Sequence, residues 1–176
     1  SFHTRYQSEL GNNLGNLVQR TISMLNRYRD GIVPEPTSVS EADQAMQTEV
    51  VDSILKFREL MENWNIHMAL TELWRGITRA NQYVEESAPW KLAKEEEQTG
   101  RLDTVLNRMI SAIYLLVSEL ESILPDITQA TLEQMGNLPV LAGEMEPTWP
   151  QLPQGHQVSK PTPLFPRIEL EAESSS

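Results

Sequence analysis

The run from Leu102 to Leu124 constrains the fold of this chain more than any other feature. Leu102, Val105, Leu106, Met109, Ile113, Leu116, Val117, Leu120 and Leu124 recur at three- and four-residue spacing, the period of an α-helix. This helix is apolar almost all round. It has no side that prefers water, so it must be wrapped by other elements, and the cheapest wrapping is more helices. Pro125 stops it. "DITQATLEQMG" then reads as a short helix with Gly136 just past its end.

The rest of the chain supplies the wrapping. Leu10, Leu14, Leu17, Thr21, Leu25 and Tyr28 form one stripe on a first helix, which "DGIVPEP" ends through Gly31 and Pro34. "TSVSEADQ" opens a second helix, where Ser38 with Glu41, or Ser40 with Asp43, has the spacing of a capping box. Val50, Ile54, Phe57 and Met61 continue its core face, and "ENWN" breaks it. Asn65 is placed to cap a third helix. Met68, Ala69, Leu73, Ile77 and Ala80 are its apolar positions, with Leu70, Trp74 and Val84 beside them. Pro89 marks its end, because a proline lacks the N–H and disfavours helix at the residue before it. "EEEQTGRLD" reads as a polar turn. Trp64 and Trp74 are expected in the core.

No segment alternates in the manner of a strand, so the fold class is all-α, a bundle of about five helices. Seven of the eleven prolines lie beyond Leu138. Residues 1–138 are therefore read as the helical bundle. Residues 139–176 are read as an extended tail packing on it through Leu164, Phe165 and Ile168, with the last serines disordered.

Charge and composition narrow the function. There are no cysteines, which removes disulfides, thiol catalysis and cysteine-bound zinc. His3, His67 and His156 lie far apart without ligand spacing, and no glycine-rich phosphate loop is present. The Glu95–Glu97 run reads as a solvated face. No apolar run reaches membrane-spanning length, the start is not a secretory signal, and its lack of an initiator methionine fits a piece of something longer. The net charge of −11 argues against a general nucleic-acid binder, but it is unevenly spread. Residues 1–34 carry Arg5, Arg20, Arg27 and Arg29 against Glu9 and Asp30, whereas residues 111–150 hold six acids and no base.

One polar constellation stands out. Taking Asn16 as reference, Asn12, Arg20, Ser23 and Arg27 lie within about 40° of it on a helical wheel, opposite the apolar stripe. Amides and guanidinium forks on one face suit base edges and phosphates. They are also what an ordinary solvated face contains. Trp90, directly after Pro89 at a helix exit, is equally two-sided: a plug for the core or a platform outside it.

"ELGNNLGNLVQRTISMLNRYRDGIVP" and "ANQYVEESAPWKLAK" together resemble the anticodon-binding domain of methionyl-tRNA synthetases, class I enzymes whose C-terminal helical bundle reads the CAU anticodon. The closing "PLFPRIE" is similar to the segment that ends the core of those enzymes. The resemblance runs from Phe2 to Glu169. "LGNLxxR" and "APWxLAK", in this order, carry it; either alone also suits the related bundles of leucyl-, valyl- and isoleucyl-tRNA synthetases. It implies that Asn16 and Arg20 contact the anticodon cytosine; Asn12 and Arg27, on the same face by the wheel, are expected to bind the anticodon with them. It implies that Trp90 stacks on an anticodon base and that Pro89 shapes this platform. Glu85 matches an acidic position linked to rejecting other anticodons, where the family often has Asp. Gln7 and Glu9 depart from the commoner Asn and Asp.

The resemblance further implies a cytoplasmic methionine–tRNA ligase as the parent, with tRNA-Met and the catalytic domain of the same polypeptide as partners. The HIGH and KMSKS signatures, ATP site and zinc-binding insertion would belong to that catalytic half, so this piece alone is expected to need no cofactor and to catalyse nothing. The competing readings are a helical protein-interaction or structural bundle without RNA binding, and the anticodon domain of a related class I synthetase.

Overall fold

The computed structural model describes residues 2–141, 143 and 147–162, with the side chains of Glu9 and of residues from Gly11 on. Six helices follow in order: α1 (Phe2–Arg29), α2 (Glu41–Glu62), α3 (Ile66–Ser87), α4 (Pro89–Leu92), α5 (Thr99–Glu119) and α6 (Pro125–Gln134). Five are long and α4 is a single turn. No strand occurs among the described residues; one isolated antiparallel bridge joins Ile32 to Gln157. The class is all-α, as the periodicity requires.

The apolar run takes the central place. Within α5, Leu102, Val105, Leu106 and every residue from Arg108 to Ser118 are buried, enclosed by α1, α2, α3, α4 and α6. α2 and α3 pair as a hairpin that closes tightly at Gly76. A Cβ there would stand 2.2 Å from Ser53 Oγ and 3.0 Å from Leu116 Cδ2. Only glycine lets α3 approach α2 and α5 at this level.

The local start and stop signals act as written. Ser40 Oγ accepts from Asp43 N–H while the Asp43 carboxylate accepts from Ser40 N–H, a complete capping box. Asn65 caps α3 by accepting from Met68 N–H. Gly31 and Gly136 take the left-handed conformation past α1 and α6, at φ +79° and +89°. α5 begins at Thr99, inside the stretch expected to be a turn, and gives way at Leu120 to a 3-10 turn, four residues before the apolar run ends. Leu124 leaves helical geometry because Pro125 follows it.

Two core expectations are corrected. Trp64 is 87% exposed. It sits in the α2–α3 turn with φ +57°, its N–H donating to Met61 O, and the left-handed backbone directs the indole away from both helices. Met68 is 48% exposed because it lies in the first turn of α3, at the tip of the hairpin where no third helix reaches. Trp74 packs partly buried against the core, as do Tyr28 and Met61.

Beyond Leu138 the described residues form no helix and lie against the bundle. Tyr114 Oη donates to Pro139 O at 2.5 Å. The Arg108 guanidinium lies 5.7 Å from the centre of the Trp149 ring. Val33 N–H donates to His156 O, and Val158, buried, returns its N–H to Gly31 O, both at 2.8 Å. The expected anchors Leu164, Phe165 and Ile168, and the final serines, lie outside the described residues.

Candidate nucleic-acid interface

α1 presents its polar face as the wheel predicts. Asn12, Asn16, Ser23 and Arg27 are exposed and Arg20 is half-exposed, while Leu14, Leu17, Val18, Ile22 and Leu25 are fully buried on the other side. The face is held at a fixed height against α3 by side-chain amides. Asn81 Nδ2 donates to Asn13 O at 3.1 Å and to Asn13 Oδ1 at 2.9 Å, and Asn13 Nδ2 donates to Thr78 Oγ1 at 3.1 Å. Asn13, between the apolar stripe and the polar face, did not stand out in the sequence. Its only signal was a polar residue at the flank of a stripe.

The same register brings Arg20 to the exit of α3. Arg20 Nη2 lies 2.7 Å from Glu85 Oε1, and its guanidinium carbon lies 5.6 Å from the centre of the Trp90 ring. Residues 20, 85 and 90, far apart in the chain, thus form one cluster. Ala88 makes this possible. It caps α3 in the left-handed region at φ +46°, its N–H donating to Val84 O at 2.9 Å. Pro89 disfavours the right-handed helical conformation at Ala88, and then starts α4 at the position where its missing N–H costs nothing. The proline both ends one helix and opens another turn, which the sequence alone did not show. Pro89 is buried, and Trp90 is half-buried against the core, its remaining surface turned toward Arg20 and solvent.

Asn16 lies one turn before Arg20 on the same face. Asn12 and Arg27 lie about two turns from Arg20 in opposite directions, roughly 10–12 Å along the axis; they extend the face and do not join the cluster. Arg27 lies 5.8 Å from the Tyr28 ring centre. Lys91 and Lys94 are exposed beside Trp90, with Glu86 and Glu95 among their acidic neighbours. Among the described residues no group of three His, Cys, Asp or Glu side chains is assembled as a metal site would require, and no helix is long and apolar enough to cross a membrane.

The chain from Val33 onward matches a known family. Residues 33–175 fit the family described as the anticodon binding domain of methionyl tRNA ligase. The chain belongs to that family. A methionine–tRNA ligase of Enterococcus faecalis is 36% identical over 174 residues, covering 98% of this chain and 26% of that protein. One from Caldanaerobacter subterraneus is 34% identical, covering 98% and 27%. The apo structure of Mycobacterium tuberculosis methionyl-tRNA synthetase superposes with a TM-score of 0.81 at 28% identity, over 93% of this chain and 33% of that one. This anticodon-binding-domain chain therefore spans about a quarter of the length of the curated relatives it matches.

Proposed function

We propose that this chain reads the CAU anticodon of a methionine tRNA, as the C-terminal anticodon-binding part of a cytoplasmic methionine–tRNA ligase whose ATP-dependent chemistry resides in the remainder of the polypeptide. The observation that carries the reading is the Arg20–Glu85–Trp90 cluster beside the exposed Asn16. Unpaired RNA bases are recognised by stacking on aromatic rings and by hydrogen bonds to their exposed edges. Trp90 offers the ring. The Arg20 fork donates to the N3 and O2 acceptors of a cytosine, and the Asn16 carbonyl accepts from its N4 amino group. Uracil carries an N–H at N3 and an acceptor at O4, so it opposes both arrangements.

Glu85 fits as the discriminating group. Its carboxylate holds Arg20 in the free protein and repels phosphates and acceptor edges that are wrongly placed. The acidic remainder of the surface confines RNA to this edge, where Arg20, Arg27, Lys91 and Lys94 are cations among the described residues. Four such phosphate partners would give a salt slope of log affinity of about −3.

The test is binding of two tRNAs that differ only in the first anticodon base, CAU and UAU, at one stated salt concentration. The unsubstituted chain prefers CAU, and Asn16→Ala or Arg20→Ala costs about 1–3 kcal/mol on CAU while narrowing the preference. Equal binding of the two tRNAs by the unsubstituted chain would refute the reading.

A further inference from the structure

Asp43 is fully buried, and its role extends well beyond its own helix cap. Besides the 2.9 Å bond from Ser40 N–H, its carboxylate accepts from Arg101 Nη1 at 2.6 Å, Arg101 Nη2 at 2.8 Å and Tyr83 Oη at 2.5 Å. Tyr83 is in the last turns of α3. Arg101 is in the first turn of α5. Between them runs the segment 84–100, which carries Glu85, Ala88, Pro89, Trp90, Lys91 and Lys94. One carboxylate on α2 therefore ties down both roots of the segment that presents Trp90.

We infer that Asp43 is a positioning residue for the Trp90 platform: with Tyr83 and Arg101 it forms a clasp that fixes where Trp90 stands against Arg20 and α1. The inference rests on Trp90 being the RNA-facing group. Three facts favour positioning over bulk stability. Asp43 is buried and the Arg101 side chain 28% exposed, and an ion pair with a buried member is a poor source of net stability, since apolar residues of the same volume often serve better; what it adds is direction. The bidentate Arg101 fork and the single Tyr83 hydroxyl each admit one geometry. The segment also needs holding, because Ala88 sits at φ +46° without being glycine, a conformation that persists only where the surroundings over-determine it. Tyr83 is adjacent to Val84, whose carbonyl accepts the Ala88 N–H, so anchoring Tyr83 anchors that cap. The α1 side is held independently by Asn13, Thr78 and Asn81. The two halves of the interface thus have separate anchors, one made of amides and one of a buried carboxylate.

The test uses the 176-residue chain labelled with 5-fluorotryptophan, whose four resonances include that of Trp90, identified by its loss in Trp90→Phe. Asp43→Asn and Tyr83→Phe remove the charge and the hydroxyl with little change of shape. The expected result, in variants shown folded by circular dichroism, is a shifted or broadened Trp90 resonance with that of the distant Trp64 unchanged. CAU-tRNA affinity is expected to fall roughly fivefold for Asp43→Asn and by less for Tyr83→Phe. Ser40→Ala weakens the α2 cap without touching either root, so it should lower stability and leave the Trp90 resonance in place. If Asp43→Asn does not fold, Tyr83→Phe and Arg101→Lys carry the same expectation. An unmoved Trp90 resonance with unchanged affinity in the folded variants would overturn the inference, as would a Ser40→Ala variant that shifts Trp90 equally. Failure of the anticodon reading looks different: the unsubstituted chain would show no CAU preference, while the resonance would still move.

Discussion

Replacing Glu85 by glutamine should strengthen RNA binding and weaken its selectivity. In the free protein the Arg20 guanidinium pairs with Glu85 at 2.7 Å, with the side chains 30% and 63% exposed. A pair so open to water is worth about 0.2–1 kcal/mol. A base or phosphate that takes the Arg20 fork must first displace this carboxylate. Glu85→Gln removes the charge and keeps the shape, so stability should fall by no more than about 1 kcal/mol. Affinity for a CAU stem-loop should rise by roughly 1.4- to 5-fold, the same energy returned to binding. Wrong anticodons gain more, because they lose the repulsion that excluded them, so the ratio between CAU and UAU narrows. Fluorescence anisotropy with labelled stem-loops reads both affinities, and a denaturant midpoint reads stability. On an Arg20→Ala background the effect on CAU should vanish, since nothing remains for Glu85 to hold. Weaker CAU binding by Glu85→Gln would refute the reasoning. It would make the carboxylate a direct partner of the cytosine amino group, not a competitor for Arg20.

Three further outcomes follow from the burial pattern and the enclosed carboxylate. Trp90→Ala should lower stability by less than the roughly 3–5 kcal/mol of a fully buried tryptophan and lower anticodon affinity by about 1–3 kcal/mol, with Trp90→Phe retaining part of the affinity. Trp64→Ala should leave stability within about 0.5 kcal/mol and binding unchanged; urea midpoints and tRNA titrations on the three variants check this. Burial alone would raise the Asp43 carboxyl, but bonds from Arg101, Tyr83 and Ser40 outweigh it and hold the group down at about 2, against an ordinary value of 3.8. A depressed carboxyl stabilises the fold fully above its unfolded value. About 2 kcal/mol should therefore be lost as pH falls from about 4 toward 2, and Asp43→Asn should flatten that limb of a stability-against-pH curve.

Much of the fold was legible because helix boundaries are set by neighbours in sequence. Ser40 and Asp43 cap each other across three residues, Asn65 reaches Met68, and Gly31 and Gly136 need only their own backbones. The central helix announced itself by having no polar side. Trp64 was misplaced because residue type was weighed above position: an indole in a left-handed turn points where the turn sends it, and hydrophobicity cannot redirect it. α4 was hidden because the rule that proline ends a helix is silent on proline beginning the next. Asp43 was visible only as a capping residue. Its larger role depends on Tyr83 and Arg101, 40 and 58 residues further on, and no local pattern encodes a partner at such a distance.

The interface shows the same division between local and distant information. The period of 3.6 puts Asn12, Asn16, Arg20 and Arg27 on one side of α1 and leaves open whether that side does anything. A row of amides and guanidinium groups attracts RNA without telling one base from another. Discrimination begins when a second element restricts how a base can lie against the row. In the proposed reading Trp90 supplies the plane and Glu85 the repulsion, and both reach Arg20 because Asn13 is bonded to Thr78 and Asn81 one or two turns earlier along α3. A shift of α1 along α3 by one residue would move Arg20 about 1.5 Å, enough to break a hydrogen bond of 2.7 Å. On the proposed reading selectivity therefore depends on the register between α1 and α3, and the polar side chains that set it, Asn13 and Asn81, need not touch the RNA at all.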